Sequence, residues 1–569
     1  MQNATLEGYR LSPQQRRVWG LLGGAPSSRP HAQCAVSVSG HVTAGALRRA
    51  VERLVSRHEV LRTEFQRLPG MEFPIQVIGE GTPVRWREVD LRGVVEGGEQ
   101  GRRQALAGLM KLERAAGVEA EPEAGGVAEE EAGGVVRACL AVFDDEERVV
   151  VLSVSGMAGD SRSMMNMVRE LGECYAAAEG ADGAEVVQYA DYSEWQNELT
   201  EGAGEAAEEA RAFWRDVHAG SAQEISLPLE STSKLDEEAE SCEVEGRAEP
   251  YGAGLEELEV KIDERVAREV AAQAGRFGVT EEVLLLASWQ LLLWHLTRQP
   301  EIGVATLYDG RKFEGLDKAL GPFSKYLSVQ THYQESYTFP DVLRYVNENW
   351  SKADEWQEYF STEAAGRRGE DEAAPSSTLA FEYQQWPAEY SAAGLRFSLL
   401  YLSASAEPFS LRLRLSRSVA SLRARFYFDL ARFSRAAIEL LADQFLTLLA
   451  SACAHPDLAI SDLDALGHRE RLDLLSQPAR QSRPYPTSPL LPALFEAQAA
   501  QTPDASAVEC GEERLSFAEL NAAANRLARL LRGMGAGRGG RVVLLLERSA
   551  WQVVGVLAAW KAGAAYVPV

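Results

Sequence analysis

Strand-like runs alternate with amphipathic helical patterns along roughly the first 460 residues, and this alternation restricts the fold more than any other feature. HAQCAVSVSG (31–40) reads as a strand and GALRRAVERLVSRH (45–58) as an amphipathic helix. RVVVLSVSG (148–156) is a β-branched strand that enters a loop, and SMMNMVRELGECYAAA (163–178) is the helix after it. LRLRLS (411–416) and RARFYFDL (423–430) are late strands, and ARFSRAAIELLADQFLTLLASACA (431–454) is a long closing helix. The pattern predicts an α/β chain large enough for two lobes.

Five prolines in the seventeen residues 476–492 remove backbone donors and fix φ, which suits an extended linker. After it come a helix, the strand RVVLLL (541–546), a second helix and YVPV (566–569). Two acidic stretches interrupt the globular pattern. Residues 113–135 hold seven Glu and one Arg among Ala and Gly, and 230–249 are similarly acidic. Neither offers enough apolar surface to offset its ordering entropy, so both are expected to be mobile loops. The net charge of −26 argues against a broad nucleic-acid or anionic-membrane surface. Six cysteines, at 34, 139, 174, 242, 453 and 510, form no C-x-x-C pair, which disfavours a zinc site or a disulfide framework. No secretory signal opens the chain. The apolar stretch 283–296 is shorter than the ~20 residues a span needs and reads as a buried helix, so no membrane is expected.

SRHEVLRTEF (56–65) closely resembles the RHExLRTxF segment of the condensation domains of nonribosomal peptide synthetases. More of that family's pattern follows in order. LSPQQRRVWGL (11–21) resembles the opening helix, YADYSEWQ (189–196) the YxDYxxWQ segment, and Phe213-Trp214 the aromatic pair after it. LGPFSKYLSVQ (320–330) resembles the GxFxNxLxLR strand less closely, and LDALGHRERLDLL (463–475) the C-terminal end. After the linker, LSFAEL (515–520) is similar to the L[TS]YxEL motif of adenylation domains, and WKAGAAYVPV (560–569) to LKAGxAYVPL. The resemblance implies two chloramphenicol-acetyltransferase-like lobes in a V with a central tunnel, followed by a partial adenylate-forming-enzyme N-terminal subdomain. The expected organisation is a condensation-like domain over 1–475, with lobes of about 1–180 and 181–475. A linker over 476–492 and the start of an adenylation domain over 493–569 follow. Phosphate-binding loop and catalytic lysine would lie beyond Val569, so no adenylation is expected of these residues.

In that family the site is an HHxxxDG loop after a strand of the first lobe, and the chemistry is aminolysis of a thioester. The corresponding loop here reads Ser155-Gly156-Met157-Ala158-Gly159-Asp160-Ser161. Both histidines are replaced, by Ser155 and Gly156, and the last glycine by Ser161. No histidine lies between His58 and His218, so a small slip in register restores none. Glycine offers no side chain for acid–base work.

Three readings follow: a non-catalytic platform or spacer between carrier proteins or tailoring enzymes, acyl transfer by proximity alone, and a heterocyclisation relative. The last rests on Ser155-xxxx-Asp160-xx-Ser163, which keeps two of three positions of DxxxxDxxS and makes Ser163 a candidate. Asp160 is expected to be structural and to form a salt bridge with Arg62 of LRTEF, N···O within ~3.2 Å. The family's HQDLPFE-like helix end is also missing; ADEWQEYFS (353–361) stands there, read either as drift on a surface helix or as a sign of a divergent subgroup. His295, Trp289, Trp294 and Cys174 read as packed residues.

No metal or cofactor is expected on the chain itself; phosphopantetheine would arrive on partner carriers. The implied partners are acyl or peptidyl carrier proteins upstream and downstream, the remainder of the adenylation domain and, for a platform, a tailoring enzyme. Cytoplasmic location is expected. A start some ten residues from Met1 implies either a donor carrier on another chain or a domain that opens an assembly line.

Overall fold

The computed structural model describes residues 8–21, 31–67, 70–81, 84–92, 98–115, 136–144, 147–177, 186–202, 204–220, 225–230, 255–361, 378–404, 407, 409–419, 421–480 and 490–569. Most of the acidic stretches and residues 481–489 of the proline-rich segment lie outside the described residues. The chain forms two compact units, Met1–Arg471 and Leu472–Val569.

The first unit begins with α1 (Pro13–Leu21), β1 (His31–Ser39), α2 (Ala44–Arg57), β2 (Thr63–Gln66), β3 (Ile75–Ile78), β4 (Arg85–Asp90), α3 (Gly98–Ala115), β5 (Val136–Val142), β6 (Glu147–Ser155) and α4 (Ser161–Ala176). The Thr43 hydroxyl caps α2, whose Leu47, Val51 and Leu54 turn into the core. Helices α5 (Tyr189–Glu201) and α6 (Glu205–Gly220) lead to β7 (Leu255–Lys261), α7 (Glu264–Phe277), α8 (Glu281–Thr297), β8 (Glu301–Tyr308), β9 (Lys325–His332) and α9 (Phe339–Trp356). The chain then runs through β10 (Leu379–Gln385), β11 (Tyr390–Ala392), β12 (Leu395–Ala404), β13 (Leu411–Arg417), β14 (Leu422–Asp429), α10 (Arg435–Ala454) and α11 (His468–Arg480). Helix α8 is apolar on all faces because it is enclosed on all faces: residues 283–294 are all buried, Trp289 and Trp294 among them.

Two six-stranded sheets organise this unit, in the orders β11-β12-β1-β6-β5-β4 and β7-β14-β13-β10-β8-β9. Each has its own main core. Leu54, Val150, Leu152, Met164, Leu171 and Phe397 belong to the first; Leu286, Trp289, Phe381, Leu413, Phe426 and Phe445 belong to the second. The halves are laced together. Strands β10 and β13 pair in parallel in the second sheet, and between them the chain crosses over to lay β12 antiparallel on β1. The expected division into lobes at about residue 180 is therefore corrected for 390–404, which complete the first sheet. Parallel neighbours need a crossover connection, and here that connection supplies strands to the other sheet.

Two other boundaries are corrected. Glu113, read as the start of an acidic loop, lies in the last turn of α3 and is buried with its carboxylate 3.3 Å from Arg87 Nη2. Residues 476–480, read as linker, complete α11.

The second unit contains α12 (Leu491–Gln501), the hairpin of β15 (Ser506–Cys510) and β16 (Glu513–Ser516), α13 (Phe517–Gly533), β17 (Arg541–Leu544), α14 (Ala550–Ala562) and β18 (Ala565–Pro568). Ser516 and Glu519 form a capping box that fixes the start of α13. Strands β17 and β18 pair in parallel, and Leu520, Ala524, Val554 and Leu557 form a small core.

Candidate functional site

Strand β6 ends at Ser155, and the loop after it turns at once, with Ala158 N donating to Ser155 O at 2.9 Å. The Ser155 hydroxyl accepts from Met157 N at 3.2 Å, so it organises the turn. Asp160 follows as the N-cap of α4: its Oδ1 accepts from Ser163 N at 2.7 Å and from Ser163 Oγ at 2.8 Å. Gly156, Gly159, Asp160 and Ser161 form one wall of an open cavity of about 830 Å³, counting the solvent in its mouth. Gln14 and Arg17 of α1 contribute another wall, and Ser324, Lys325 and Tyr326 at the start of β9 a third.

Asp160 joins the halves of the unit. Its Oδ2 accepts from Ser324 N (2.9 Å), Ser324 Oγ (2.8 Å) and Arg311 Nη1 (3.0 Å), and its Oδ1 from Arg311 Nη2 (2.9 Å). Ser163 completes the clasp: its hydroxyl accepts from Gly321 N (3.0 Å), and its single proton is shared between Asp160 Oδ1 and Gly321 O, each 2.8 Å away. Burial pushes the Asp160 carboxyl up, but the Arg311 charge and these hydrogen bonds outweigh it and leave the carboxyl below its ordinary range. The Arg311 side chain is only 1% exposed, and its guanidinium lies 4.4 Å from the Phe323 ring centroid.

The expected Arg62–Asp160 bridge is not formed. Arg62 donates to Gly79 O at 2.5 Å and stands 3.6 Å from Glu59. The reason is topological: Arg62 leads into β2, which pairs with β3 in a two-stranded sheet separate from the two six-stranded ones. Arg311 reaches Asp160 because the Asp309-Gly310-Arg311 turn brings the end of β8 back under the loop. Gly310 has φ +74°, and a Cβ there would meet Phe323 O at 2.2 Å. The signal in the sequence was the Asp-Gly-Arg run directly after the strand EIGVATLY.

The ADEWQEYFS segment is not a surface helix end. Glu358 is 3% exposed, and its Oε2 accepts from Lys325 Nζ (3.1 Å) and Tyr192 OH (2.7 Å), while Phe360 and Ser361 line the cavity. Lys325 stands where the GxFxNxLxLR pattern has asparagine. Its ammonium is pulled down by burial and pushed back up by Glu358. Arg17 pairs with Glu407, Nε–Oε1 at 2.7 Å and Nη2–Oε2 at 2.8 Å.

Among the described residues no histidine lines the cavity. His58 is buried and bonds Glu170 at 2.7 Å, and His295 bonds Ile460 O at 2.8 Å. Ser161 faces the cavity with its hydroxyl 3.4 Å from Ala404 O, whereas Ser163 lies behind it in the clasp. Among the described residues no cluster of three or more His, Cys, Asp or Glu could hold a metal ion.

The family model "Condensation domain" matches residues 6–475, and "AMP-binding enzyme" matches residues 495–569. The chain therefore belongs to the condensation-domain family, with an adenylation-type segment after that domain. Bacitracin synthase 1 of Bacillus licheniformis is 27% identical over 99% of the chain. The dimodular nonribosomal peptide synthase of Bacillus subtilis is 30% identical over 99%. The chain spans 10% and 23% of the lengths of these relatives. The fold matches the X-domain of teicoplanin biosynthesis in its complex with OxyB, with a TM-score of 0.63 at 21% identity, covering 81% of this chain and 96% of that one.

Proposed function

We propose that residues 1–475 act within a nonribosomal peptide synthetase as a condensation-type domain that engages phosphopantetheine-bearing carrier proteins without joining their cargo. The observation that carries this reading is the cavity wall at Gly156. Among the described residues no imidazole faces it, and the charged residues that line the cavity are already paired: Asp160 with Arg311, Arg17 with Glu407, Lys325 with Glu358. A base that must take a proton from an incoming amine needs a free lone pair within hydrogen-bond reach. Ser155 and Ser161 are hydroxyls whose ordinary acidity is far too low for that task near neutral pH. Asp160 and Ser163, the retained part of the heterocyclisation-like pattern, commit their hydrogen bonds to the clasp between the halves.

A platform role fits a domain of this fold crystallised with OxyB, so a tailoring enzyme is a candidate partner here as well. The domain boundaries proposed are 1–475 for the condensation-type domain and 493–569 for the adenylation-type segment, and the location cytoplasmic. A second reading, amide formation by proximity alone, is favoured by one feature: the cavity remains open down to Gly156. Binding tested apart from chemistry checks the first part of the proposal. A carrier bearing phosphopantetheine should be retained on the immobilised protein, and the same carrier without its arm should be retained less. Equal retention of both, or of neither, removes the proposal that the cavity receives the arm.

A further inference from the structure

Strand β13 alternates leucine and arginine, and its two faces differ accordingly. Leu411, Leu413 and Leu415 enter the core of the second sheet, while Arg412 and Arg414 point to the other face. There both meet Glu382 of the neighbouring strand β10. Arg414 Nε donates to Glu382 Oε2, and Arg412 Nη1 stands 3.3 Å from Oε1. Glu382 is fully buried, and the side chains of Arg412 and Arg414 are only 8% and 1% exposed. The same carboxylate also accepts from Tyr326 OH. Among the described residues, one carboxylate therefore answers two enclosed guanidinium groups, and one positive charge is left over. Arg425 on β14 adds nothing to the imbalance, because Glu257 and Glu259 pair with it.

The hydrogen bonds show the same shortfall. Arg414 Nη1 donates to Leu402 O (2.9 Å) and to Tyr427 OH (3.2 Å), but its Nη2 is enclosed and has no acceptor. Arg412 donates to no described residue, and its Nε is enclosed as well. The two guanidinium carbons lie 4.6 and 5.0 Å from the centroid of the same Tyr427 ring, so their spare donors share one neighbourhood. A buried charge without a partner and charged donors without acceptors both weigh against the folded state, and native proteins supply the missing group.

We infer that Arg412 and Arg414 form a binding site for one compact monovalent anion of the halide type. The charge follows from the imbalance, since one negative charge neutralises the cluster and two would invert it. The small size follows from the enclosure of the two spare donors. The site has a structural consequence. Arg414 ties β13 to Leu402 on β12, the strand that crosses to the first sheet, so an anion held beside it steadies the joint between the sheets and makes its stability depend on the salt present.

Thermal unfolding of the whole chain, in sodium chloride and in sodium gluconate of equal ionic strength, tests this. The wild type should melt about 1–3 °C higher in chloride. Arg412→Met keeps the apolar stem and leaves one carboxylate against one guanidinium. It should melt at the same temperature in both salts, and no lower than wild type in gluconate. Binding is read directly from the chloride NMR line, which the folded wild type should broaden more than the urea-unfolded chain does, and which added bromide should narrow again. Narrowing by acetate too extends the site to small carboxylates and supports it equally. A chloride effect as large in Arg412→Met as in wild type overturns the inference. So does a line that the folded wild type broadens no more than the unfolded chain, a result that stands even where the variant fails to fold.

Discussion

Asp160 keeps its place in a loop whose imidazoles are gone, and its surroundings give the reason. Its two oxygens hold Arg311, Ser163 and Ser324, and so tie α4 to the start of β9. Removing one member of a buried pair leaves the other charge uncompensated, at a typical cost of about 3–5 kcal/mol. Asp160→Ala and Arg311→Ala should each lower stability in urea by that order, and the double variant should lose far less than the sum. Arg62→Ala, which leaves the clasp intact, should show no coupling with Asp160→Ala. The pH dependence has a definite sign. The folded-state carboxyl titrates below its unfolded value of ~3.9, so its contribution is complete above that pH and is lost as pH falls through the lower folded value. Wild type should lose its advantage over Asp160→Asn between about pH 4 and the acid limit, measured by denaturant titration at each pH. The sequence reading set Asp160 against an arginine, Arg62, and the arginine it meets is Arg311. Arg311 lies 151 residues away, and only the tertiary turn at Gly310 brings it near.

Strand and helix identities were the most legible level, because alternation and amphipathic spacing are local. Which sheet a strand joins is not local. LRFSLLYLSA (395–404) and LRLRLSR (411–417) read alike, yet the first pairs with β1 and the second with β10. Composition misled at Glu113 for the same reason: a glutamate-rich window cannot show that Arg87 waits on β4. The crossing segment is held by α4. A Cβ on Gly172 would meet the Tyr390 ring at 2.7 Å and Phe397 at 3.2 Å, so glycine lets β11 and β12 seat against the helix. Gly172→Val should therefore destabilise by about 1–3 kcal/mol through overpacking, despite leaving helix α4 without its glycine. Thermal unfolding measures it; a melting temperature equal to or above wild type would mean that the strands are not fixed by this contact.

At the scale of the molecule, two laced sheets enclose a cavity that keeps its walls and its clasp while presenting glycine at position 156. The family resemblance made this architecture legible from short ordered motifs. The replacement pair Lys325–Glu358 was not legible, because its members are 33 residues apart and each looks unremarkable alone. As proposed above, the domain receives loaded carriers and does not join their cargo. The most direct measurement incubates the protein with one carrier bearing a donor acyl group and another bearing an acceptor aminoacyl group, and follows both by intact-protein mass spectrometry. Neither carrier should change mass beyond the rate without the protein. Transfer of the donor's acyl mass to the acceptor carrier, at a rate proportional to the protein added, would contradict it.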